Sequence, residues 1–214
     1  MDIEGWVHNI PIVTKLYMVG ALAISIGLTF DLVSPLSLYL GHTQVWQRGE
    51  YWRLLTTFLF FGKIDVGFFF NMHFLYFYSR RLEEHFYFNR TGEFVCLLLT
   101  AALTLLGISY FVPMMFLSQP LIMVILYIWA RRFPDELLSI YGIFTVTSAY
   151  LPFVMCGLAY LINGGDAVRV DLYAIAVGHV LWYLADVLPQ ITGVHLLSPS
   201  FVLALFQPRR HAVE

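Results

Sequence analysis

Polar side chains interrupt long apolar stretches of this sequence at three places. Asn71 and His73 follow a run of phenylalanines, Ser118 and Gln119 form a second pair, and His179 lies within the segment YAIAVGHVLWYLAD. Amide, imidazole and hydroxyl groups are costly in lipid, so they normally face the inside of a helix bundle or a water-filled cavity. For each residue alone, the simplest interpretation is a hydrogen bond to a neighbouring helix. Together they predict a polar interior, to which we assign Asn71, Gln119 and His179.

Helical spacing refines this prediction. Two positions that are two residues apart on a helix point about 200° apart, so we expect Asn71 rather than His73 to face inward. Near His179, Ala174 and Gly178 form a small-xxx-small pair. Such a pair lets two helix backbones approach closely, which would place His179 in the interior.

The composition requires a membrane-embedded fold. The 214 residues are 59% hydrophobic, 17% aromatic and only 12% charged, with a mean hydropathy of +0.74. A soluble domain carries about 25% charged residues because its surface faces water. The formal net charge of -2 and the sequence pI of about 6.4 do not favour a nucleic-acid partner.

The small number of cysteines limits the redox and metal chemistry to be expected. Cys96 and Cys156 both fall within apolar runs. A disulfide framework or a metal site would need more ligands at shorter spacing, so we interpret both as small packing residues. No metal and no cofactor is expected.

The apolar runs predict a single all-α membrane domain with about six spans. A second run starting at residue 54 is interrupted by a charged stretch at residues 62–65, which moves its spanning part to residues 66–79. The predicted spans lie at residues 16–30, 66–79, 94–116, 121–130, 143–162 and 172–188.

Several of these runs are short. A hydrocarbon core about 30 Å thick needs about 20 helical residues, and residues 16–30, 66–79 and 121–130 fall below that length. Two interpretations remain open. Either short helices thin the bilayer, snorkel at their flanks or are buried in protein, or the bounds are drawn too tightly.

The distribution of basic residues predicts cytosolic termini. Six spans place both termini on one side, and basic residues concentrate on the cytosolic side of membrane proteins. The side of the termini carries Lys15, Arg80, Arg81, Arg90, Arg131, Arg132, Arg209 and Arg210. The opposite side carries only Arg48, Arg53, Lys63 and Arg169.

The sequon Asn89-Arg90-Thr91 therefore lies in a cytosolic loop, and we expect it to be unmodified. Because the N-terminus lacks a basic region and a cleavage pattern, the first span is expected to act as the insertion signal.

The segment GEYWRLLTTFLFFG, residues 49–62, is too short and too charged to add another span. We predict that it lies in the membrane interface. Trp52 would sit at headgroup level and Arg53 would reach to lipid phosphate.

The order of these features resembles the rhomboid superfamily, and more closely its Derlin branch. YWRLLTTFLFFG followed by FNMHFLYFYSRRLEEHF resembles the rhomboid pattern of a Trp-Arg pair in the first loop and an Asn-Met with an Arg-Leu-Glu end in the second span. Segments similar to Derlins follow in Derlin order: IPIVTKLYM, VSPLSLYL, PLIMVILYIWARRFPDE, YLPFVMCGLAYLINGG, VGHVLWYLADVLP and LLSPSFVLALF. The resemblance covers residues 6–206. We treat residues 1–206 as one rhomboid-like domain and residues 207–214 as a short cytosolic tail.

The resemblance also assigns vestigial roles. Rhomboid proteases use a serine in a Gly-x-Ser-Gly setting at the start of the fourth span, a histidine in the sixth, and a His-x-x-x-Asn pair in the second. Here Asn71 matches the asparagine, but Gly67 replaces the histidine; Ser118 and His179 lie near the other two positions. Pro120 removes a backbone donor where the oxyanion would form. We therefore expect a pseudoprotease.

Similarity to Derlins implies a function. It implies a multi-pass protein of the endoplasmic reticulum membrane that takes part in degrading misfolded proteins without catalysis. Its partners would be misfolded lumenal or membrane substrates, a membrane ubiquitin ligase complex, a cytosolic AAA ATPase and the lipid bilayer; homo- and hetero-oligomers both remain open. Many Derlins carry a Phe- and Gly-rich tail box that binds the ATPase. Residues 207–214 lack it, so we expect indirect recruitment through another subunit, unless the tail is truncated.

Two alternatives remain open. One is an active intramembrane serine protease that uses Ser118 and His179. The other is a membrane chaperone or adaptor that holds substrates without moving them.

Overall fold

A computed structural model describes residues 10–140, 144–194 and 196–197 of the chain. The Trp6 end of the resemblance, Arg209, Arg210 and the predicted tail 207–214 lie outside these described residues. The helices are α1 (Ile12–Thr29), α2 (Pro35–Leu38), α3 (His42–Arg48), α4 (Arg53–Leu59), α5 (Val66–Phe74), α6 (Thr91–Ser109), α7 (Ser118–Arg132), α8 (Leu151–Asn163), α9 (Gly165–Trp182) and α10 (Leu188–Thr192).

Two of these helices continue through wider turns. The π-helical segments Leu75–Ser79 and Leu82–Phe86 extend α5, and Tyr183–Val187 joins α9 to α10. All three π-helical segments lie at the end of the bundle that carries Arg81, Arg132 and Asp186, and π-helical turns within α-helices often mark functional positions.

Helix α7 forms the centre of the fold. Its residues from Pro120 to Ala130 are all buried, and α4, α6, α8 and α9 pack around it. A helix that is apolar on every side is stable only when it is surrounded, and the sequence LIMVILYIWA meets that condition. The neighbouring helices therefore face α7 with one side and the surroundings with the other.

Three helical segments of the described chain are long and apolar enough to cross a membrane: Ile12–Thr29, Thr91–Ser109 and Val168–Thr192. Their lengths of 18, 19 and 25 residues correspond to about 27–38 Å of helix. Large apolar side chains are exposed along them, among them Leu16, Leu103 and Val180. A predominantly helical membrane protein is therefore established, as the composition predicted.

Two of the runs that looked short were drawn too tightly. The run predicted at residues 16–30 is a helix that begins at Ile12, and the run predicted at residues 66–79 continues to Phe86. The run at residues 121–130 is short for another reason. Its helix Ser118–Arg132 has 15 residues and is surrounded by protein, so it does not have to match the thickness of lipid.

The expectation of an all-α fold was wrong in one place. Strands β1 (Leu137–Ile140) and β2 (Phe144–Thr147) form an antiparallel pair. The predicted span at residues 143–162 therefore begins as a strand, and α8 starts only at Leu151. The alternation of threonine and valine in TVT favours a strand. The predicted span at residues 94–116 is also shorter, since α6 ends at Ser109.

Hydrogen bonds tie the elements together at two ends of the bundle. At one end, the segment after α6 lies against the first loop: Leu40 N donates to Met115 O at 2.8 Å, and Leu117 N donates to Thr57 O at 3.0 Å. At the other end, the first turn of α1 meets the π-helical end of α5, where Thr14 N donates to Glu83 at 3.0 Å. We call these the first-loop end and the ionic end.

Candidate functional site

Ser118 is the first residue of α7, at the first-loop end. Its side chain is buried, with 1% of the residue exposed, and its hydroxyl donates a hydrogen bond to the carbonyl of Phe60. The preceding residue is also bonded to α4, because Leu117 N donates to Thr57 Oγ1 at 3.2 Å. The serine hydroxyl is therefore already engaged in a hydrogen bond to the backbone directly after α4.

His179 has a different partner. Its Nδ1 lies 2.8 Å from the hydroxyl of Tyr127, and its ring lies 5.7 Å from that of Trp182. Tyr127 follows Ser118 by nine residues, which is about 13 Å along α7. A general base has to lie within about 3 Å of the nucleophile. The structure therefore does not bring Ser118 and His179 together.

His179 also departs from its predicted interior position. The residue is exposed, whereas Ala174 and Gly178 are buried, and Gly178 faces Tyr127 of α7. Because successive helical positions are about 100° apart, turning Gly178 toward α7 turns His179 toward the edge of the α7–α9 contact. The small-xxx-small pair therefore brings the two helices together but does not bury the imidazole.

The contact at Gly178 is tight. A β-carbon added there would lie 3.0 Å from Tyr127 Cβ and 3.1 Å from Tyr127 Cδ1. Separations this short are rarely tolerated in packed interiors. Glycine therefore lets α9 approach α7 this closely, whereas a β-carbon would require its neighbour to shift by a few tenths of an ångström. The same crossing places Tyr127 beside His179.

The two polar residues of α5 face different surroundings. Asn71 is half-buried, and its side chain makes no hydrogen bond within residues 10–140, 144–194 and 196–197. His73 is exposed and stacks on Phe77 with ring centroids 6.1 Å apart. It lines a cavity of about 320 Å³ between α5, β1 and α8, whose other walls include Tyr78 and Met155. The less exposed position of Asn71 agrees with the 200° separation expected for the pair.

Gln119 is also exposed, but it lines a larger cavity of about 580 Å³ between α7, α8 and α9. The wall contributed by α9 includes Asp171, which is half-buried. Asp171 was missed at the sequence level because the predicted sixth span began at residue 172. The sequence could have indicated it, because Asp171 directly precedes the predicted run. The apolar helical segment in fact begins at Val168 and so includes this carboxylate.

The first-loop residues Trp52 and Arg53 have separate roles. Trp52 is 56% exposed, as an interfacial anchor would be. Arg53 is only 6% exposed, so the prediction that it reaches to lipid phosphate was wrong. Its Nη1 donates to the carbonyls of Leu36 and Tyr39 at 2.9 and 3.0 Å, and its Nε donates to Glu50 at 2.6 Å. The planar guanidinium can satisfy several acceptors at once, and here it fastens α2 to α4.

The ionic end holds a carboxylate that caps α1. Glu83 is 5% exposed and accepts from Val13 N and Thr14 N, each at 3.0 Å, and from Thr14 Oγ1 at 2.8 Å. The first backbone N–H groups of a helix lack partners within the helix, and a carboxylate near them is favoured by the helix dipole. The second span thus holds the start of the first span.

A second buried charge pair joins α7 to the segment after α9. Arg132 Nε and Nη2 each donate to Asp186 at 2.8 Å, and Nη2 also donates to Tyr87 Oη at 2.8 Å. The Arg132 side chain is 2% exposed. Burial raises the pKa of the Tyr87 hydroxyl, and the positive charge of Arg132 partly offsets that rise. This bidentate pair fixes α7 against α9 at the ionic end.

These features define a helical membrane protein with a central buried helix and with mainly apolar cavities whose walls include the polar residues His73, Gln119 and Asp171. Comparisons with known proteins then give the family. The model of the Der1-like family matches residues 10–200. The chain is 39% identical to Derlin-2.2 of Zea mays and 39% identical to Derlin-2 of Oryza sativa subsp. japonica, in each case over 95% of this chain and 86% of the relative. It is 34% identical to the probable derlin-2 homolog of Dictyostelium discoideum, over 98% of this chain and 85% of the relative.

The chain therefore belongs to the Der1-like family, whose curated relatives carry the name Derlin. The resemblance read from the sequence is confirmed.

Proposed function

We propose that this protein is a non-catalytic component of endoplasmic reticulum-associated degradation that aids the retrotranslocation of misfolded lumenal or membrane proteins to the cytosol. The observation that carries the proposal is membership of the Der1-like family over residues 10–200. The alignment with Derlin-2.2 extends over 95% of the chain, so the similarity is not confined to one segment.

The absence of catalysis is supported by the positions of the candidate groups. Activation of a serine needs a base in hydrogen-bond contact and donors that stabilise an oxyanion. The hydroxyl of Ser118 is donated to Phe60 O, and the imidazole of His179 is held by Tyr127. Asn71, Ser118 and His179 are then remnants of a hydrolytic site, as the rhomboid resemblance implies.

The proposed topology has six spans with both termini in the cytosol. It is supported by the placement of charged residues, because the ionic end collects Arg81, Arg131 and Arg132 together with their partners. The first-loop end would then face the lumen. The cavity lined by Gln119 and Asp171 lies near the starts of α7 and α9, and so would open from the lumenal half of the membrane.

A cavity with polar side chains in its wall at this depth would assist a polypeptide that crosses the membrane. Backbone N–H and C=O groups cannot be exposed to lipid without a large cost, but they are tolerated where protein or water surrounds them. The cavity of about 580 Å³ supplies such a place. We propose that it receives part of the substrate at an early step.

Local membrane thinning is the second element of the proposal. The apolar helical stretch Ser148–Ile162 contains 15 residues, which is about 22 Å of helix against a hydrocarbon core of about 30 Å. Its side chains Phe153, Leu161 and Ile162 are exposed, so it faces the surroundings. Lipid beside such a short helix is expected to thin. Bilayer thickness around the reconstituted protein equal to bulk thickness would contradict this element.

The partners proposed are misfolded substrates, a membrane ubiquitin ligase complex and a cytosolic AAA ATPase. We place the protein in the endoplasmic reticulum membrane with several spans. An adaptor that holds substrates without moving them would share these features. Only a transport measurement separates the two functions.

The test is the lifetime of a misfolded membrane substrate in cells that lack their own Derlin and receive either this protein or its Ser118→Ala variant. We expect equal shortening of the lifetime by both proteins and no cleaved fragment. Rescue by the wild type alone, with a cleaved fragment, would identify Ser118 as a nucleophile and favour the protease. No rescue by either protein at normal expression, with the ligase and ATPase present, would contradict the proposed role.

A further inference from the structure

The cavity between α7, α8 and α9 has the features of a binding site for a varied apolar segment. Its volume of about 580 Å³ falls within the range of about 300–1,000 Å³ typical of pockets that hold a small ligand. That is room for a few side chains rather than for a whole helix. Three methionines, Met115, Met123 and Met155, form part of its wall. Flexible thioether side chains can adapt to occupants of different shape.

One carboxylate interrupts this apolar wall. Asp171 is half-buried and lies three residues inside the segment Val168–Thr192, which is long and apolar enough to span a membrane. Within the described parts of the chain, no hydrogen bond or ion pair involves its side chain. The basic residue nearest to it in sequence, Arg169, is paired with Asp166 at 3.3 Å, and both of those side chains are exposed.

An ionised carboxylate in apolar surroundings is costly unless an opposite charge or hydrogen-bond donors compensate it. Ionisable side chains inside membrane segments therefore commonly mark a functional site. Within residues 10–140, 144–194 and 196–197 no cation or hydrogen-bond donor compensates Asp171, and the cavity is the side from which such a group would enter. Gln119 lines the same cavity, and its amide oxygen is a second acceptor for the same incoming group.

We propose that this cavity recognises an apolar polypeptide segment carrying a basic side chain, and that the lysine ammonium or arginine guanidinium pairs with Asp171. The inference rests on the proposed function and gives its substrate a chemical class. A membrane protein that has failed to assemble exposes basic residues that a partner helix would otherwise neutralise. The three methionines accept varied apolar neighbours, and Asp171 selects the charge.

The test uses the full chain in phosphatidylcholine nanodiscs and a labelled 20-residue Leu- and Ala-rich peptide with a single lysine about four residues from one end. Matched peptides carry leucine or glutamate at the same position. Binding is measured by fluorescence anisotropy. We expect the lysine peptide to bind about three- to tenfold more tightly than the leucine peptide, given the usual strength of polar contacts between membrane helices.

Variants of the protein isolate the carboxylate. Asp171→Asn keeps the shape of the side chain and should bind the lysine and leucine peptides equally. Asp171→Lys should reverse the order and favour the glutamate peptide. Asp166→Asn is the matched control, since it removes an exposed carboxylate from the same end of the same helix; it should keep the preference for lysine. Unchanged thermal unfolding of each variant shows that the fold is retained.

Three results would overturn the inference. The first is equal affinity of the wild type for the lysine and leucine peptides, and the second is a lysine preference that survives in Asp171→Asn. The third is loss of the preference when phosphatidylethanolamine is added to the nanodiscs, because a lipid ammonium would then be the occupant. None of these results affects the proposed function if cells supplied with the protein still degrade a misfolded substrate with the leucine segment. Loss of that degradation as well would contradict the function itself.

Discussion

Gly178 of α9 lies against the side chain of Tyr127 of α7, so that an added β-carbon would stand 3.0 Å from Tyr127 Cβ. The same tyrosine holds His179 through its hydroxyl at 2.8 Å. The helix crossing and the placement of the imidazole thus depend on one side chain. A central buried helix can hold polar residues in defined positions only if its neighbours approach this closely.

The first prediction concerns this crossing. Gly178→Val should destabilise the protein by about 1–3 kcal/mol, the usual cost of overpacking a close contact. It should also weaken the Tyr127–His179 hydrogen bond, because α9 has to move away from α7. The measurement is thermal unfolding in detergent, followed by tryptophan fluorescence.

Gly107→Val is the control for that variant. Among the residues that the structure describes, and apart from the neighbouring backbone of α6 itself, nothing lies within 4 Å of a β-carbon placed at Gly107. Valine also has a higher helix propensity than glycine. This substitution should be neutral or slightly stabilising. Equal unfolding temperatures for Gly178→Val and the wild type would show that the crossing is not tight.

The sequence predicted the positions of the main helices because apolar runs report burial or contact with lipid directly. It did not predict the hairpin β1–β2, since FTVT falls within the span predicted at residues 143–162 and LLSI lies between two predicted spans. The position of α7 was predicted, but its central location was not. A continuous apolar run is compatible with both lipid and protein surroundings.

Side-chain direction was the least predictable feature of the candidate site. His179 was expected in the interior on the strength of Gly178, yet the two residues differ by about 100° around the helix. Arg53 was expected to reach lipid phosphate, but it binds the carbonyls of Leu36 and Tyr39. Asp171 was missed altogether. Segments distant in sequence decide which acceptor or cavity a polar group meets. A single sequence does not show which distant segments come into contact.

The second prediction concerns Arg53. Arg53→Ala removes three donated hydrogen bonds and leaves the carboxylate of Glu50 without its cation. Breaking such a buried pair typically costs about 3–5 kcal/mol. Arg53→Lys should recover only part of this loss, because a point charge does not reproduce the guanidinium fork. Hydrogen exchange of the amides in residues 35–59 should become faster in both variants, and the increase should be larger in Arg53→Ala than in Arg53→Lys.

Trp52→Ala is the comparison for Arg53. Since Trp52 is 56% exposed, its removal should leave the exchange of the first loop nearly unchanged. The double variant Trp52→Ala, Arg53→Ala should still insert into the membrane but lose activity toward a misfolded substrate. If the substrate has the same lifetime in cells supplied with the double variant as in cells supplied with the wild type, the first loop takes no part in the mechanism.

The third prediction concerns the carboxylate that caps α1. Thr14→Val and Glu83→Gln should each destabilise the protein, because hydrogen bonds to a charged group contribute about 1.5–3 kcal/mol. In a double-mutant cycle the two changes should be non-additive by about 1 kcal/mol or more, since the hydroxyl that Thr14→Val removes donates to Glu83. Unfolding free energies in detergent give the coupling. Fully additive effects would mean that the hydrogen bond from the Thr14 hydroxyl to Glu83 does not stabilise the start of α1.

The last prediction concerns orientation. Phe88 and Gln47 are both exposed, and they lie at the ionic end and in the first loop, respectively. In intact microsomes, Phe88→Cys should react with a membrane-impermeant maleimide, while Gln47→Cys should react only after the membrane is permeabilised. The parent chain is the background control, because Cys96 and Cys156 lie within α6 and α8. If instead Gln47→Cys were labelled in intact microsomes and Phe88→Cys were protected, the charge bias would have given the wrong orientation. The cavity of Asp171 would then open toward the cytosol, so retrotranslocation would use it as an exit rather than as an entrance.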